Sequence, residues 1–171
     1  MTMTLEKLIT EFAAAAGIAD PVAVGGVWKF SADGHVFGVV EDDTGGNVWI
    51  FGEVPDPLPE RADAFRRAAL EANFFMRGTC GAVFSINPET GAYTLMKSMP
   101  LDSATPEGFF AFVEKFVNTL ATWKGISGAT QEASPVDARP EAGAVPDSRP
   151  PERSWNENVE VVPNFPGMMR V

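Results

Sequence analysis

LEANFFMRGTCGAVFSINPETG, Leu70 to Gly91, begins as a helix, breaks on glycine, and ends as a strand and a turn. It packs Phe74, Phe75, Met76, Cys80, Val83 and Phe84 close together with few ionisable side chains between them. Upstream, Phe65, Ala69, Ala72 and Met76 recur at helical spacing, which predicts a helix from about Glu60 to Met76 with one apolar stripe. Gly78 to Gly81 ends it. AVFSIN then alternates as a strand, and NPETG is a turn in which Asn, Pro and Gly each contribute a different backbone preference. AYTLMKSM completes a hairpin.

Working outward, Leu5, Leu8, Ile9, Phe12 and Ala16 predict a first helix over residues 4–16, capped by Thr4 and ended by Gly17. After Gly25 and Gly26, the segments VWKFS, GHVFGVVE and NVWIFGEV are separated by ADG and DDTGG, which predicts a three-stranded antiparallel meander. In the third strand Trp49 and Phe51 point one way, and Val48 and Ile50 the other, so both faces are apolar. One face must meet helices, and the other needs a second cover. The last helix opens with Thr105, Pro106 and Glu107 in cap and first-turn positions. Phe109, Phe112, Val113, Phe116, Val117, Leu120 and Trp123 give it a broad apolar stripe ending near Lys124 and Gly125. The order is α-β-β-β-α-β-β-α, an α+β fold with an antiparallel sheet.

From Ser127 the composition turns to Pro, Ala, Ser and charge. The expected organisation is a domain over 1–126, a linker over 127–154, and an apolar docking segment over 155–171 carrying Trp155, Val159, Val161, Val162 and Phe165.

The chain of 171 residues has a formal net charge of −10, which argues against a nucleic-acid surface. It has one cysteine, so no intrachain disulfide forms. The N-terminus lacks a signal-peptide pattern and no apolar run is long enough to span a bilayer, so a soluble cytoplasmic protein is expected, with no membrane insertion. His35 is the single histidine and fits a turn or strand start; Cys80 fits a buried small hydrophobe. Glu41 to Asn47, EDDTGGN, lacks calcium-loop spacing and reads as an acidic turn. Glu107 and Glu114 read as the solvated back of the last helix, and Arg61, Arg66 and Arg67 as a solvated helix face. No phosphate or dinucleotide motif is present. The residues therefore favour a binding module over an enzyme, with no catalytic, metal or cofactor residues assigned. An exposed strand edge suits an extended peptide, and an apolar face suits a two-fold dimer.

Leu58 to Asp102 resembles the central block of the class I type III secretion chaperones, the Tir-chaperone-like (CesT) family. The features that carry it are Leu70 to Asn73 (an L-x-x-N helix end), Gly78 to Gly81, Ala82 to Ile86, the Asn87 to Gly91 turn, and Tyr93 to Met99. The likeness in element order extends over Leu5 to Gly125. It implies a homodimer without enzymatic activity or cofactor, which binds the N-terminal region of a secreted effector, keeps it soluble and partly unfolded, and delivers it for export. Under that resemblance Phe74, Phe75, Met76, Phe84 and Ile86 are expected at the dimer interface. Leu5, Ile9, Trp28, Phe30, Phe37, Val39, Trp49 and Phe51 are the effector-contact candidates, with some of them necessarily core. The tail has no counterpart in the family; guarding an empty effector groove, or touching the export apparatus, are the roles it suggests. The alternative function is an adaptor of the same fold that binds a folded protein partner. A small-molecule site would need Cys80 and His35 brought together in a cleft.

Overall fold

In a computed structural model, the described residues are 3–128 and 160–161. The first helix, α1 (Leu5–Ala16), starts where the Thr4 hydroxyl accepts the Lys7 N–H at 3.3 Å, and it stops at Gly17 in the left-handed conformation. Its buried stripe is Leu5, Leu8, Ile9, Phe12, Ala13 and Ala16.

The sheet begins with β1 (Ala23–Val24), too short to show a pattern in sequence. Gly25 and Gly26, with φ of 60° and 80°, turn it directly into β2 (Val27–Ala32). Two consecutive left-handed residues suit the twist of a tight hairpin, and only glycine adopts them without cost. Then come β3 (His35–Glu41) and β4 (Asn47–Val54), which with β2 form the expected meander.

The helix expected over 60–76 is shorter. A single 3-10 turn at Pro59–Arg61 leads into α2 (Ala62–Asn73), and the chain leaves helical geometry at Phe74. Phe65, Ala69 and Ala72 are buried as the stripe requires, but Met76 is exposed. The cause is local: the Asn73 side chain is used on a neighbouring strand, and Gly78 folds back against Ala72. A Cβ on Gly78 would lie 2.8 Å from that of Ala72.

The hairpin β5 (Val83–Ile86) and β6 (Tyr93–Pro100) follows as expected. Its insertion is less obvious: β6, not β5, pairs with β4 along its whole length, which leaves β5 at the margin. The helix α3 (Pro106–Ser127) is capped by the Thr105 hydroxyl, which accepts the Gly108 N–H at 3.1 Å. It runs slightly past the expected end, to Gly128 in the left-handed conformation.

The sheet order is β1-β2-β3-β4-β6-β5, all antiparallel. A further strand, β7 (Glu160–Val161), joins β2 in parallel. The α+β class holds. The expected linker and docking segment lie outside the described residues, apart from Ser127 and Gly128 at the end of α3 and the two residues of β7.

One face of the sheet carries the core. Phe12 of α1 meets Phe30 and Phe109 edge-on at 5.4 and 5.5 Å, and Phe30 stacks on Phe37 at 5.6 Å. Phe109, Val113, Phe116, Val117 and Leu120 of α3 are buried against the same layer. Each such side chain contributes about 1.5–3 kcal/mol through burial. Leu120 seats directly on Gly52, where a Cβ would come within 2.6 Å of it. The α2 stripe joins at the far end, where Phe65 packs edge-on against Phe84, Tyr93 and Trp123.

Candidate functional site

Residues paired across an antiparallel sheet share a face. Ile50 pairs with Val39, and both are buried on the helix side. Their strand neighbours are therefore on the other side. Trp49 pairs with Val40 and Ser98, and Phe51 with Gly38 and Met96, while Met96 also pairs with Val83. Val40, Trp49, Phe51, Met96 and Val83 form one apolar band, each residue half-buried. The Phe51 ring lies across Gly38, where a Cβ would come within 2.7 Å of it. Glycine thus lets the ring lie flat on the sheet.

Charge closes one end of this band. Glu53, next on β4 on the same face, is half-buried, and burial raises its carboxyl above the usual range, opposed by Lys124 and Lys29. Burial likewise lowers the Lys124 ammonium, with Glu53 opposing. His35 is lowered first by burial and then by Lys124.

The eight expected effector contacts divide. Trp49 and Phe51 stand on the open face. Trp28 is half-buried at the margin of the helix side, paired with Val39. Leu5, Ile9, Phe30, Phe37 and Val39 are core residues, at most 5% exposed. Their assignment as contacts is corrected, because strand alternation and the α1 stripe turn them inward. Val40, Val83 and Met96 were missed. The signal was there in the alternation of their strands, but the register that sets them beside Phe51 was not.

A second apolar surface is the tip after α2. Leu70, Phe74, Phe75 and Ile86 are 71%, 68%, 72% and 58% exposed, and Met76 is 45% exposed. Of the five expected interface residues, Phe84 is the exception: it packs inward on Phe65 and Trp123. Phe75 and Met76 both take positive φ, 51° and 53°, which is costly for large side chains, on the order of 1–3 kcal/mol each.

Surrounding bonds hold the tip. The Asn73 amide brackets the backbone of Phe84, and the Trp123 indole N–H donates to Gly78 O at 3.1 Å. The buried Thr79 hydroxyl bonds the carbonyls of Met76 and Ala82. The Lys97 ammonium donates to Cys80 O at 2.9 Å while lying over the Phe112 ring.

Other sequence candidates resolve plainly. Cys80 is exposed and has φ of 53°, which corrects its expected burial: the chain must turn there before β5. It lines a shallow hollow of about 380 Å³ with Gly78, Glu114, Lys115 and Thr122, a lining without His35. His35 opens β3, as expected. Asp42 organises the acidic turn by accepting from the Thr44 hydroxyl, the Gly46 and Asn47 N–H groups, and the Asn47 amide. Arg66 pairs with Asp63 and Tyr93, and Arg67 with Glu71, all on the exposed side of α2. Among the described residues no group of three or more His, Cys, Asp or Glu could hold a metal. No helix there is long and apolar enough to cross a membrane.

Comparison with known proteins agrees with this geometry. The sequence model of the Tir chaperone protein (CesT) family matches residues 7–124. No curated protein matches the chain. Among solved structures, the fold is similar to a chain of the HopA1-SchA chaperone-effector complex, with TM-score 0.60, 12% identity, 70% of this chain and 92% of that one covered. It is similar to a chain of the ExsC-ExsE complex, with TM-score 0.63, 18% identity and coverages of 77% and 100%. A third is the Yersinia pestis type III secretion chaperone SycH in complex with a fragment of YscM2, with TM-score 0.53, 14% identity and coverages of 68% and 96%.

Proposed function

This chain belongs to the Tir chaperone protein (CesT) family, and from that premise we propose that it is a type III secretion chaperone for an extended segment of an effector. The observation that carries the reading is the family match over residues 7–124, which spans α1 to α3 and so includes both apolar surfaces. Chaperone-effector complexes with this fold support it.

In this reading the open sheet face takes the client. Trp49, Phe51, Val40, Val83 and Met96 present apolar area to an extended chain, and Trp28 adds to it at the sheet margin. An unfolded segment offers apolar side chains that water disfavours, and burial returns about 25 cal/mol per Å² before ordering costs. The client segment therefore stays soluble without folding, which suits passage to an export apparatus. Binding and release suffice; no bond is made or broken.

The tip after α2 is the dimer surface. Phe74, Phe75, Met76 and Ile86, with Leu70, make an exposed apolar group on a loop fixed from several sides. A rigid presentation lowers the ordering cost of association. A two-fold pairing of two such tips buries both and doubles the client surface.

The test has two parts. Light scattering on the purified chain should give a dimer. Tagged full-length chain expressed in its source cells should retain a secreted protein through that protein's N-terminal region. A monomer that retains only folded partners would overturn the reading.

A further inference from the structure

The outer edge of β2 carries a feature that the fold does not need. β1 covers that edge at Val27 and Trp28 only, yet β2 continues to Ala32. An uncovered edge presents backbone N–H and C=O groups that other strands seek. The groups beyond Trp28 are met by β7, whose Glu160 and Val161 align with Phe30 and Ser31. This is the one parallel pairing in a sheet whose other described pairs are antiparallel. It is made by a segment that follows α3 only after the Pro- and Ala-rich stretch 129–159. The sequence at the pairing, Asn158-Val159-Glu160-Val161, alternates polar and apolar as a strand does, and Pro163 ends the pattern.

We propose that the edge of β2 beyond Trp28 is a docking site for an extended strand, and that the chain's own segment around Glu160–Val161 is its resident occupant. A pairing of two residues is short, and an intramolecular strand on a flexible connection holds such a site through effective concentration more than through contact strength. An occupant of this kind is displaced by any segment that offers a longer run of backbone pairs. The incoming strand is that of the extended client, and this last step rests on the proposed function; the docking itself does not. The tail then masks the exposed edge of an empty chaperone and leaves when a client arrives.

Hydrogen exchange tests the docking without a client. The samples are the full-length chain and its E160P/V161P variant, since proline donates no N–H and pairs poorly in a ladder. Amides of β2 near Phe30 and Ser31 should exchange at least about ten-fold faster in the variant, with β3 and β4 unchanged. Should β3 and β4 also lose protection, the single V161P variant replaces it. A synthetic peptide of residues 156–164, added at about millimolar concentration, should restore protection to the variant. Unchanged exchange in the variant, or no restoration by the peptide, overturns the proposal. Protection that disappears on dilution of the wild-type chain overturns the assignment to the chain's own segment and places a second copy there. None of these results depends on whether a client is captured, so failure here and failure of the chaperone reading are distinguishable.

Discussion

The Asn73 side chain stands in for a neighbouring strand: its Oδ1 accepts the Phe84 N–H at 2.8 Å, and its Nδ2 donates to Phe84 O at 3.3 Å. Phe84 lies on β5, the marginal strand of the sheet, so this amide satisfies backbone groups that an edge otherwise exposes. It also ends α2 at the right place to throw Phe74 and Phe75 outward. Asn73→Ala should therefore destabilise the chain by about 1–3 kcal/mol, the cost of leaving both groups unpaired. Urea denaturation reads this as a lower midpoint, and exchange at the Phe84 amide should quicken. An unchanged midpoint would mean that the edge has another partner.

The exposed tip predicts a separation of association from folding. Phe74→Glu with Phe75→Glu removes apolar area that is 68% and 72% exposed in the single chain. Fold and thermal midpoint of the monomer unit should persist, while light scattering should show the mass halved. A dimer that survives both changes would place the interface elsewhere.

Client contact and core should separate in the same way. Trp49→Ala with Phe51→Ala acts on the open face and should weaken client binding by about ten-fold or more, as interface aromatics do. Phe37→Ala acts on the buried side of the same sheet. It should cost about 3–5 kcal/mol of stability. Calorimetry of binding and of unfolding on both variants checks the contrast. Comparable loss of stability in both would remove the distinction between faces.

The acidic turn carries a pH prediction. Hydrogen bonds from Asn47, Thr44 and the Gly46 and Asn47 backbone hold the Asp42 carboxyl down at about 2. A folded value below the unfolded one stabilises the turn at pH above about 4, and the support is lost as pH falls from there through about 2. An NMR titration of the Asp42 carboxyl should show a midpoint near 2, and Asp42→Ala should flatten the stability change across that window. A midpoint near 4 would show that these bonds do not favour the ionised form.

Much of the fold was legible because its signals are local. The Thr4 and Thr105 caps, the α1 and α3 stripes, and the opposed faces of Val48–Phe51 follow from spacing alone, and the structure has them. The early end of α2 was not legible, since it depends on Asn73 meeting a strand that comes later in sequence. The client surface was half legible for a related reason. Alternation separated Trp49 and Phe51 from Val48 and Ile50 within β4, but assigning Phe30, Phe37 and Val39 to the core needs the register between strands. Insertion of β6 beside β4 brought Met96 to Phe51, a long-range pairing that no local pattern announces.

The central claim is that this chain holds an extended client segment, and limited proteolysis of the captured complex tests it most directly. Client bound to wild-type dimer is digested, and the surviving fragments are identified by mass. The account predicts one protected segment near the client's N-terminus, with the rest degraded as quickly as in free client, and loss of that protection with Trp49→Ala/Phe51→Ala. A partner protected throughout as a folded domain, indifferent to those two residues, would contradict it.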